Sequence, residues 1–550
     1  MESRRVCGLV GLVVSAACAN SGTGDLAEAR DPAGKHDRLV EESDLYQREG
    51  DRLYVYSRWR GLSVIDISEP TAPALTGGLT AVGQAGEMYA RNAHIILLLE
   101  EPVAPCTGAQ IKRVIPAADQ NEVQGHVITV NATGASPEML TCTPLPGETV
   151  GSRMVGDVLY LVTSAPYARR SWVLSLDLWN PGAPRLVDAI ELYADAREIH
   201  VNAQAMFVAN DLYGATGVQY VDISRPNGRI ALRGSTVVAG APQGRFHMDA
   251  TGDTFRIVTF GFSASILSVV DITNPDELAV IGTLDGIGWG EQLYATRFAG
   301  DRAYVVTFRQ TDPLWVISLA NPRQPELVGA VEVPGWSDFI FPRGDLLVTV
   351  GRGGGGGAVA LATFEVADAS SPRLVSRIEV GEWSASSTAN VDFRGVGILE
   401  PGELGEDALI ALPVSLGDWS SNELRCTHAL HLVDLRTDAT LRVRGSARAS
   451  GPVLRAVPVD GSLYAISDVD VAALNVQNRD APQILMTVAT ANPDVPRDSC
   501  SALWGDDMWI GDDMMWGDDM MIGCRSAPVA WAPWAVAALL LSLRRRGTRR

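Results

Sequence analysis

The chain reads as all-β: a β-propeller of eight blades, each of four antiparallel strands, with seven or nine blades also compatible. Three observations predict this. The first is a recurring phrase of two or three apolar residues, an acidic or polar residue, an apolar residue, Ser or Thr, then Pro. It stands as Ser63-Val64-Ile65-Asp66-Ile67-Ser68-Glu69-Pro70, Gln219-Tyr220-Val221-Asp222-Ile223-Ser224-Arg225-Pro226 and Val269-Val270-Asp271-Ile272-Thr273-Asn274-Pro275, with looser copies around Asp177, Ser318, Asp368 and Asp434. Anchors at 177, 222, 271, 318 and 368 are spaced roughly 45 to 50 residues apart, a period that marks propellers, solenoids or arrays. The second is a turn, Gly156-Asp157, Gly252-Asp253, Gly300-Asp301, Gly344-Asp345 and, reversed, Asp460-Gly461, placed between short apolar runs where a hairpin needs positive φ. The third is that no long stretch carries the 3.6-residue helical period.

Within a repeat the order is constant. Arg297-Phe298-Ala299 leads to the turn Gly300-Asp301, then to Arg302-Ala303-Tyr304-Val305-Val306-Thr307, to Leu314-Trp315-Val316-Ile317-Ser318, and closes with 326–333. These runs are rich in Val, Ile, Tyr and Phe and bounded by Gly, Pro, Asn or Asp, which is strand and turn chemistry. A solenoid satisfies the same period but stacks one or two strands per shorter turn and needs polar caps. A closed ring leaves only short protected edges and is the favoured arrangement. The stretches from Cys106 to Asn131 and from Ser384 to Cys426 are irregular and blur the count.

Several segments go beyond periodicity. Gly151-Ser152-Arg153-Met154-Val155-Gly156-Asp157-Val158-Leu159-Tyr160-Leu161-Val162-Thr163, the uninterrupted run from Arg297 to Gln310, Pro334-Gly335-Trp336-Ser337-Asp338-Phe339 and Gly461-Ser462-Leu463-Tyr464-Ala465-Ile466-Ser467-Asp468 resemble the secreted bacterial and archaeal proteins whose β-propeller domain is distantly related to WD40 repeats. The resemblance spans about 45 to 490 and implies a fold and an extracytoplasmic setting, with no activity to carry over. Where that family opens on Val-Asp-Glu-Ala-Asp, this chain has Glu41-Glu42-Ser43-Asp44-Leu45.

The two ends suggest an address. Arg4-Arg5, the apolar run from Val6 to Ala17 and the small residues after it form a secretory signal over 1–18. Ser15-Ala16-Ala17-Cys18 resembles a lipoprotein cleavage box with Ser15 in place of the usual Leu, so either a lipidated Cys18 or ordinary signal cleavage follows. Residues 19–44 read as a linker, 45–497 as the propeller, 498–524 as a low-complexity spacer and 525–550 as a tail. In that tail Gly523-Cys524, the apolar segment Ala527 to Leu543 and the arginines 544–546, 549 and 550 are long enough, at the short limit, to cross a bilayer with the body outside. The same pattern resembles the myxobacterial C-terminal sorting signal, which implies cleavage near Cys524 and transfer to the cell surface. A plain single-pass anchor is the alternative.

A formal net charge of −20 argues against nucleic acid, because a binder displaces counterions with clustered Lys and Arg. Of seven cysteines, Cys7, Cys18 and Cys524 belong to the two ends. The even remainder in an exported chain fits two disulfides, with Cys106–Cys142 and Cys426–Cys500 as the expected pairs among three connectivities.

No catalytic motif appears. Residues 504–522 repeat Gly-Asp-Asp-Met, whose carboxylates suggest calcium and whose thioethers suggest Cu(I), but the Asp-x-Asp-x-Asp-Gly spacing of a calcium loop is missing and a spacer is the better reading. Gly353 to Gly357 precedes a strand and lacks the Lys of a phosphate loop. Gly261-Phe262-Ser263-Ala264-Ser265 lacks the last Gly of a nucleophile elbow. His428 and His431 fall on opposite faces of a strand. His247 reads as a structural histidine that could face the channel, and Asp468 and Asp470 as turn caps sharing a strand face. Trp289, Trp336, Trp383 and Trp419 read as residues of blade-connecting loops, where aromatic side chains either fill the core or bind sugars and proteins.

The expectation is therefore a non-enzymatic propeller attached to the cell envelope through one or both termini, recognising a protein or polysaccharide with its rim loops and needing no cofactor. An extracytoplasmic hydrolase or lyase using acidic residues of the channel is the alternative, since propellers carry such chemistry on many sequences. An enzyme would place two carboxylates, or a His and a carboxylate, within hydrogen-bond reach in the channel.

Overall fold

The computed structural model describes residues 38–80, 83–100, 123–165, 169–309, 312–354, 357–382, 384–418, 425–492 and 495. They form nine antiparallel sheets that follow one another along the chain: blades 1 to 9 at 46–79, 84–146, 148–192, 195–239, 248–287, 292–333, 336–380, 385–449 and 453–489. Nine is the upper of the counts that the sequence allows. Blade 2 carries a long connection between its second and third strands, and blade 8 has its inner strand broken into Ala385–Ser386 and Gly397–Leu399, so the period stretches at both.

The repeated phrase is a turn, and its Asp is the reason. Asp66, Asp177, Asp222 and Asp271 each end the third strand of a blade, Asp368 lies three residues past the end of one, and each accepts, through the side chain, the N–H two residues on at 2.9–3.0 Å. This is the Asx turn that Asp favours. Hydrogen bonds from Thr273 hold exposed Asp271 below the usual aspartate pKa, and those from Ser370 do the same for Asp368. The residue that follows the third strand then donates its N–H to the turn between the first two strands, as Ile67 to the Asp51 carbonyl, Leu178 to Asp157, Ile223 to Gln204, Ile272 to Asp253, Leu319 to Asp301 and Val366 to Asp345, at 2.7–3.0 Å. The two sequence signals are thus neighbours at one end of every such blade. Gly300 shows what the turn demands: φ is +58°.

Between blades lie nine apolar clusters, one per interface. Each joins strands of consecutive blades, and the ninth joins Leu53, Val55, Ile65 and Ile67 of blade 1 to Tyr464, Ile466, Val471 and Ala473 of blade 9. The ring is closed. Outer strands meet the next blade through glycine: a Cβ on Gly77, Gly234, Gly282, Gly329 or Gly445 would come within 2.2–2.7 Å of a backbone carbonyl in the following blade's phrase turn.

Neither terminal blade borrows a strand from the other, since 46–79 and 453–489 are each continuous in sequence. Closure therefore rests on side chains and on the segment before blade 1. Ser57 donates to the Asp468 carbonyl (2.8 Å), Tyr464 to the Pro70 carbonyl (3.0 Å), and Arg48 pairs with Asp460 (2.6 Å).

Candidate functional site: the plugged channel and the loop face

In each sheet the first strand lies nearest the axis; those of blades 1 and 2, 3 and 4, and 6 and 7 touch one another, while the fourth strands are largely exposed. The inner strands of blades 2, 3, 4, 6, 7 and 9 each carry a bulge near their start, at Gln84/Glu87, Thr149/Gly151, Ala196/Glu198, Leu293/Ala295, Ser337/Phe339 and Val453/Arg455. A bulge bends the strand and re-aims the side chains after it. A ring at the wide end of the usual size range needs something in its centre, and this chain supplies it.

Residues 38–45, expected as linker up to residue 44, lie in that centre. Val40–Glu41 adds a short antiparallel strand to the inner strand of blade 3, pairing with Val155 and Met154. Asp44 forms a two-way backbone bridge with Met88 of blade 2, at 3.2 and 2.9 Å. Arg38 donates to the Ile223 carbonyl (2.7 Å) and the Tyr160 hydroxyl (3.1 Å). Every acidic side chain of the segment then meets arginine: Glu41 with Arg91 (2.6 Å), Glu42 with Arg153 (3.1 Å) and Arg245 (2.6 Å), and Asp44 with Arg455 (2.7 Å) and Arg394 (3.8 Å). Five arginines from blades 2, 3, 8 and 9 and from the 3-10 turn Arg245–His247 before blade 5 thus grip one acidic stretch. Burial disfavours the charged form of Glu42, yet Arg153 and Arg245 hold its pKa below the usual glutamate value.

Other channel groups are committed as well. Arg455 also pairs with Asp392 (2.6 Å), which sits beside the 3-10 turn Phe393–Gly395 inserted in blade 8. Phe246, Phe339 and Phe393 form an edge-on cluster, with Phe246 and Phe393 centred 4.8 Å apart and the Arg297 guanidinium 4.1 Å above Phe246. Burial pushes Asp338 up to about 6 although Asn390 (2.7 Å) and Trp336 (3.1 Å) donate to it. Burial also pushes Glu198 up to about 7, against the pull of Arg245 and Arg153. His200 stays neutral-leaning through burial and accepts the Ala250 N–H (3.2 Å), while Asp249 is taken by Arg256. Asp44 and Asp392 share the Arg455 guanidinium, which makes them parts of one ion network.

The sequence candidates fall as follows. His247 is fully buried, accepts the Gln243 N–H (3.1 Å) on Nδ1, and has its pKa lowered to about 4 by burial, so it is a neutral structural histidine. Asp468 and Asp470 do not share a strand face: Asp468 lies in the turn between the second and third strands of blade 9 and meets Trp59 (3.4 Å), whereas Asp470 starts the third strand and accepts from Ser467 (2.6 Å). Trp336 is not a loop residue. It begins the inner strand of blade 7 and packs against Tyr294 and Phe308. His428 is buried against Ser415 (2.7 Å) and His431 is held below the usual imidazole value by burial. Gly261 to Ala264 is a tight turn (2.9 Å), and Gly353 closes a hairpin onto Ala358 (2.8 Å). Among the described residues no group of three or more His, Cys, Asp or Glu is placed to hold a metal, and no helix is long and apolar enough to cross a membrane. Cys142 and Cys426 are buried. Cys18, Cys106, Cys500, Cys524, Trp383, Trp419 and residues 504–522 lie outside the described residues.

Trp289 lies in a blade-connecting loop as expected, and it is joined by three exposed aromatic residues that the sequence did not single out as a surface, Tyr193, Tyr213 and Phe262. In an antiparallel blade the connection between strands two and three and the connection to the next blade emerge at the same end, where the inner strand starts. Tyr213 and Phe262 occupy the first kind of connection in blades 4 and 5, and Tyr193 and Trp289 the second kind after blades 3 and 5. All four are 75–105% exposed. The loops are braced: Gly290 donates to the Ser263 carbonyl (2.7 Å), and Arg169 both stacks over Tyr213 (4.5 Å) and donates to its hydroxyl (2.9 Å). Four outward rings thus stand at the same end of the ring, in the connections of blades 3 to 5.

Residues 35–183 and 167–479 match the family described as Beta propeller domain. The chain is 32% identical over 177 residues to an uncharacterized protein of Archaeoglobus fulgidus, covering 32% of this chain and 28% of that one. It is 34% identical over 151 residues to an uncharacterized protein of Methanocaldococcus jannaschii, covering 26% and 24%. The matches thus span about a quarter of the curated relatives' length. Among solved structures it is similar to Sqt1 of Saccharomyces cerevisiae (9% identity, 82% of this chain and 100% of that one, TM-score 0.42) and to the periplasmic gluconolactonase PpgL of Pseudomonas aeruginosa (14%, 60% and 93%, TM-score 0.37).

Proposed function

The chain belongs to the β-propeller domain family, and from that premise we propose that it is an exported binding module, held at the cell envelope, that recognises a protein or polysaccharide through its loop face. The observation that carries this reading is the division of labour between centre and rim. The channel, where a propeller hydrolase would keep its acid and base, is filled by the chain's own residues 38–45, and their carboxylates are spent on arginines. The loop face instead holds Tyr193, Tyr213, Phe262 and Trp289 in water, which costs hydrophobic free energy unless something covers them.

The envelope address is supported by the signal over 1–18 and by the apolar, arginine-ended tail over 525–550, with Cys18 and Cys524 as the processing points. Disulfides Cys106–Cys142 and Cys426–Cys500 fit an oxidising compartment. Mass spectrometry of the mature protein from membranes tests the address at both ends, and a C-terminus still ending at Arg550 overturns the sorting step. Affinity electrophoresis in gels carrying envelope or neutral polysaccharides tests the surface: retardation lost in Phe262→Ala/Trp289→Ala supports it, whereas equal migration of the two proteins removes it.

A further inference from the structure

We propose that a cavity of about 340 Å3 at the loop-face mouth of the channel binds one neutral sugar unit of a longer glycan, a step that rests on the loop-face reading and names its ligand class. The cavity is built from the starts of the inner strands of blades 2, 3 and 9 and from the insert of blade 8, and Glu87, Val150, Asp392, Arg394 and Arg455 are among its walls. Its place follows from the backbone. The bulges at Gln84/Glu87 and Thr149/Gly151 splay the two inner strands at this end. Gly151 leaves room where a Cβ would press to within 2.9 Å of Ile199.

Its chemistry selects the ligand. Arg455 holds Asp44, Asp392 and the Leu454 carbonyl (2.7 Å), and Arg394 donates to Asp392 (3.1 Å) and the Ser43 carbonyl (2.7 Å). They fix the carboxylates in place, and with Glu87, Glu100 and Asp392 set against two arginines the wall is acidic on balance and disfavours an anionic guest. Glu87 takes the Ser43 hydroxyl on Oε2 (2.5 Å), and its Oε1 has only Arg394 at 3.8 Å, so it retains accepting capacity toward the cavity. A wall rich in held acceptors calls for a guest that brings hydroxyl donors and no charge. Leu45 adds apolar surface for the C–H face of a ring. The volume is at the low end of ligand sites, suited to a single ring with the rest of the chain outside. Outside, on the same face, stand the exposed aromatic rings.

The test is calorimetric titration of the full-length protein with four neutral tetrasaccharides, cello-, xylo-, chito- and maltotetraose, and in parallel with tetragalacturonate and with calcium chloride. The expected result is binding of at least one neutral oligosaccharide, weakened about tenfold or more by Glu87→Gln, which deletes a charged acceptor, and by Val150→Trp, which fills the space, with unchanged melting temperatures. Binding of none of the four, preference for tetragalacturonate or calcium, or wild-type affinity in both cavity variants overturns the proposal. If Phe262→Ala/Trp289→Ala loses binding while the two cavity variants keep it, the cavity is wrong and the loop-face reading stands. If the reverse holds, the cavity stands and the aromatic surface does not.

Discussion

Asp44 and Arg455 are separated by 411 positions in sequence and by 2.7 Å in space. The pair bridges the segment before the first blade and the inner strand of the last, and both side chains are largely out of water, 17% and 6% exposed. Where a ring is not sewn shut by a strand exchanged between its ends, such a link sits at the weakest joint.

Arg455→Met is expected to destabilise the protein by about 3–5 kcal/mol, because it leaves Asp44 and Asp392 buried without their shared counter-charge. Asp44→Leu/Arg455→Met, which removes the charge on both sides, is expected to cost less than Arg455→Met alone. Denaturant unfolding of the three proteins checks the order, and a single variant as stable as wild type refutes the closing role.

Deleting 38–44 is expected to loosen both ends of the ring rather than one blade. Hydrogen exchange should rise in the inner strands 46–49 and 453–459 and leave 302–308 of blade 6 protected. Uniform acceleration, or none, contradicts the assignment.

Glu198 makes stability depend on pH in a stated direction. Burial raises its pKa from an ordinary 4.5 to about 7, so the folded chain holds a proton that the unfolded chain releases. The contribution of Glu198 is then full below about 4.5 and is lost as pH rises to about 7. Glu198→Gln should match wild type near pH 4 and exceed it near pH 8 by something of the order of 3 kcal/mol. His247 works oppositely in nearly the same window. Its pKa is depressed to about 4, so its neutral form favours folding above the ordinary 6.5 and this contribution is lost as pH falls toward 4. Melting curves of Glu198→Gln and His247→Gln against pH should therefore diverge from wild type at opposite ends, and parallel curves would disprove both assignments.

Gly282→Ala should destabilise by about 1–3 kcal/mol, because its Cβ would stand 2.2 Å from the Pro322 carbonyl of the next blade and the interface must shift. Gly244→Ala, at an extended φ of 174° with nothing within 4 Å, is the control and should change little. Equal melting temperatures for the two would remove the inter-blade role.

The sequence exposed the propeller because its two repeated signals are local: an Asp that caps its own turn and a Gly-Asp pair that sets positive φ act within a few residues. The blade number was harder, since blade 2 stretches between its second and third strands and blade 8 breaks its inner strand at Ser387 to Val396. The outer-strand glycines escaped notice because their reason, a carbonyl of the following blade, lies some 40 residues away. The channel network was hidden for the same cause. Arg91, Arg153, Arg245, Arg394 and Arg455 share no spacing, and nothing in the acidic run at Glu41 to Asp44 marks which arginines it will meet. Trp336 misled because the phrase before it, Val333-Pro334-Gly335, reads as loop, whereas the inner strand starts at once after the glycine.

The central plug also orders events in time. Its arginine partners emerge from translation one by one, and the last of them, Arg455, becomes available only when nearly the whole body has been made. Each early blade can gather its local sheet as it appears, yet the circle cannot lock until the far end returns to meet the beginning. A polypeptide built this way stays open and loosely joined for most of its synthesis, and acquires its final rigidity in a single late step.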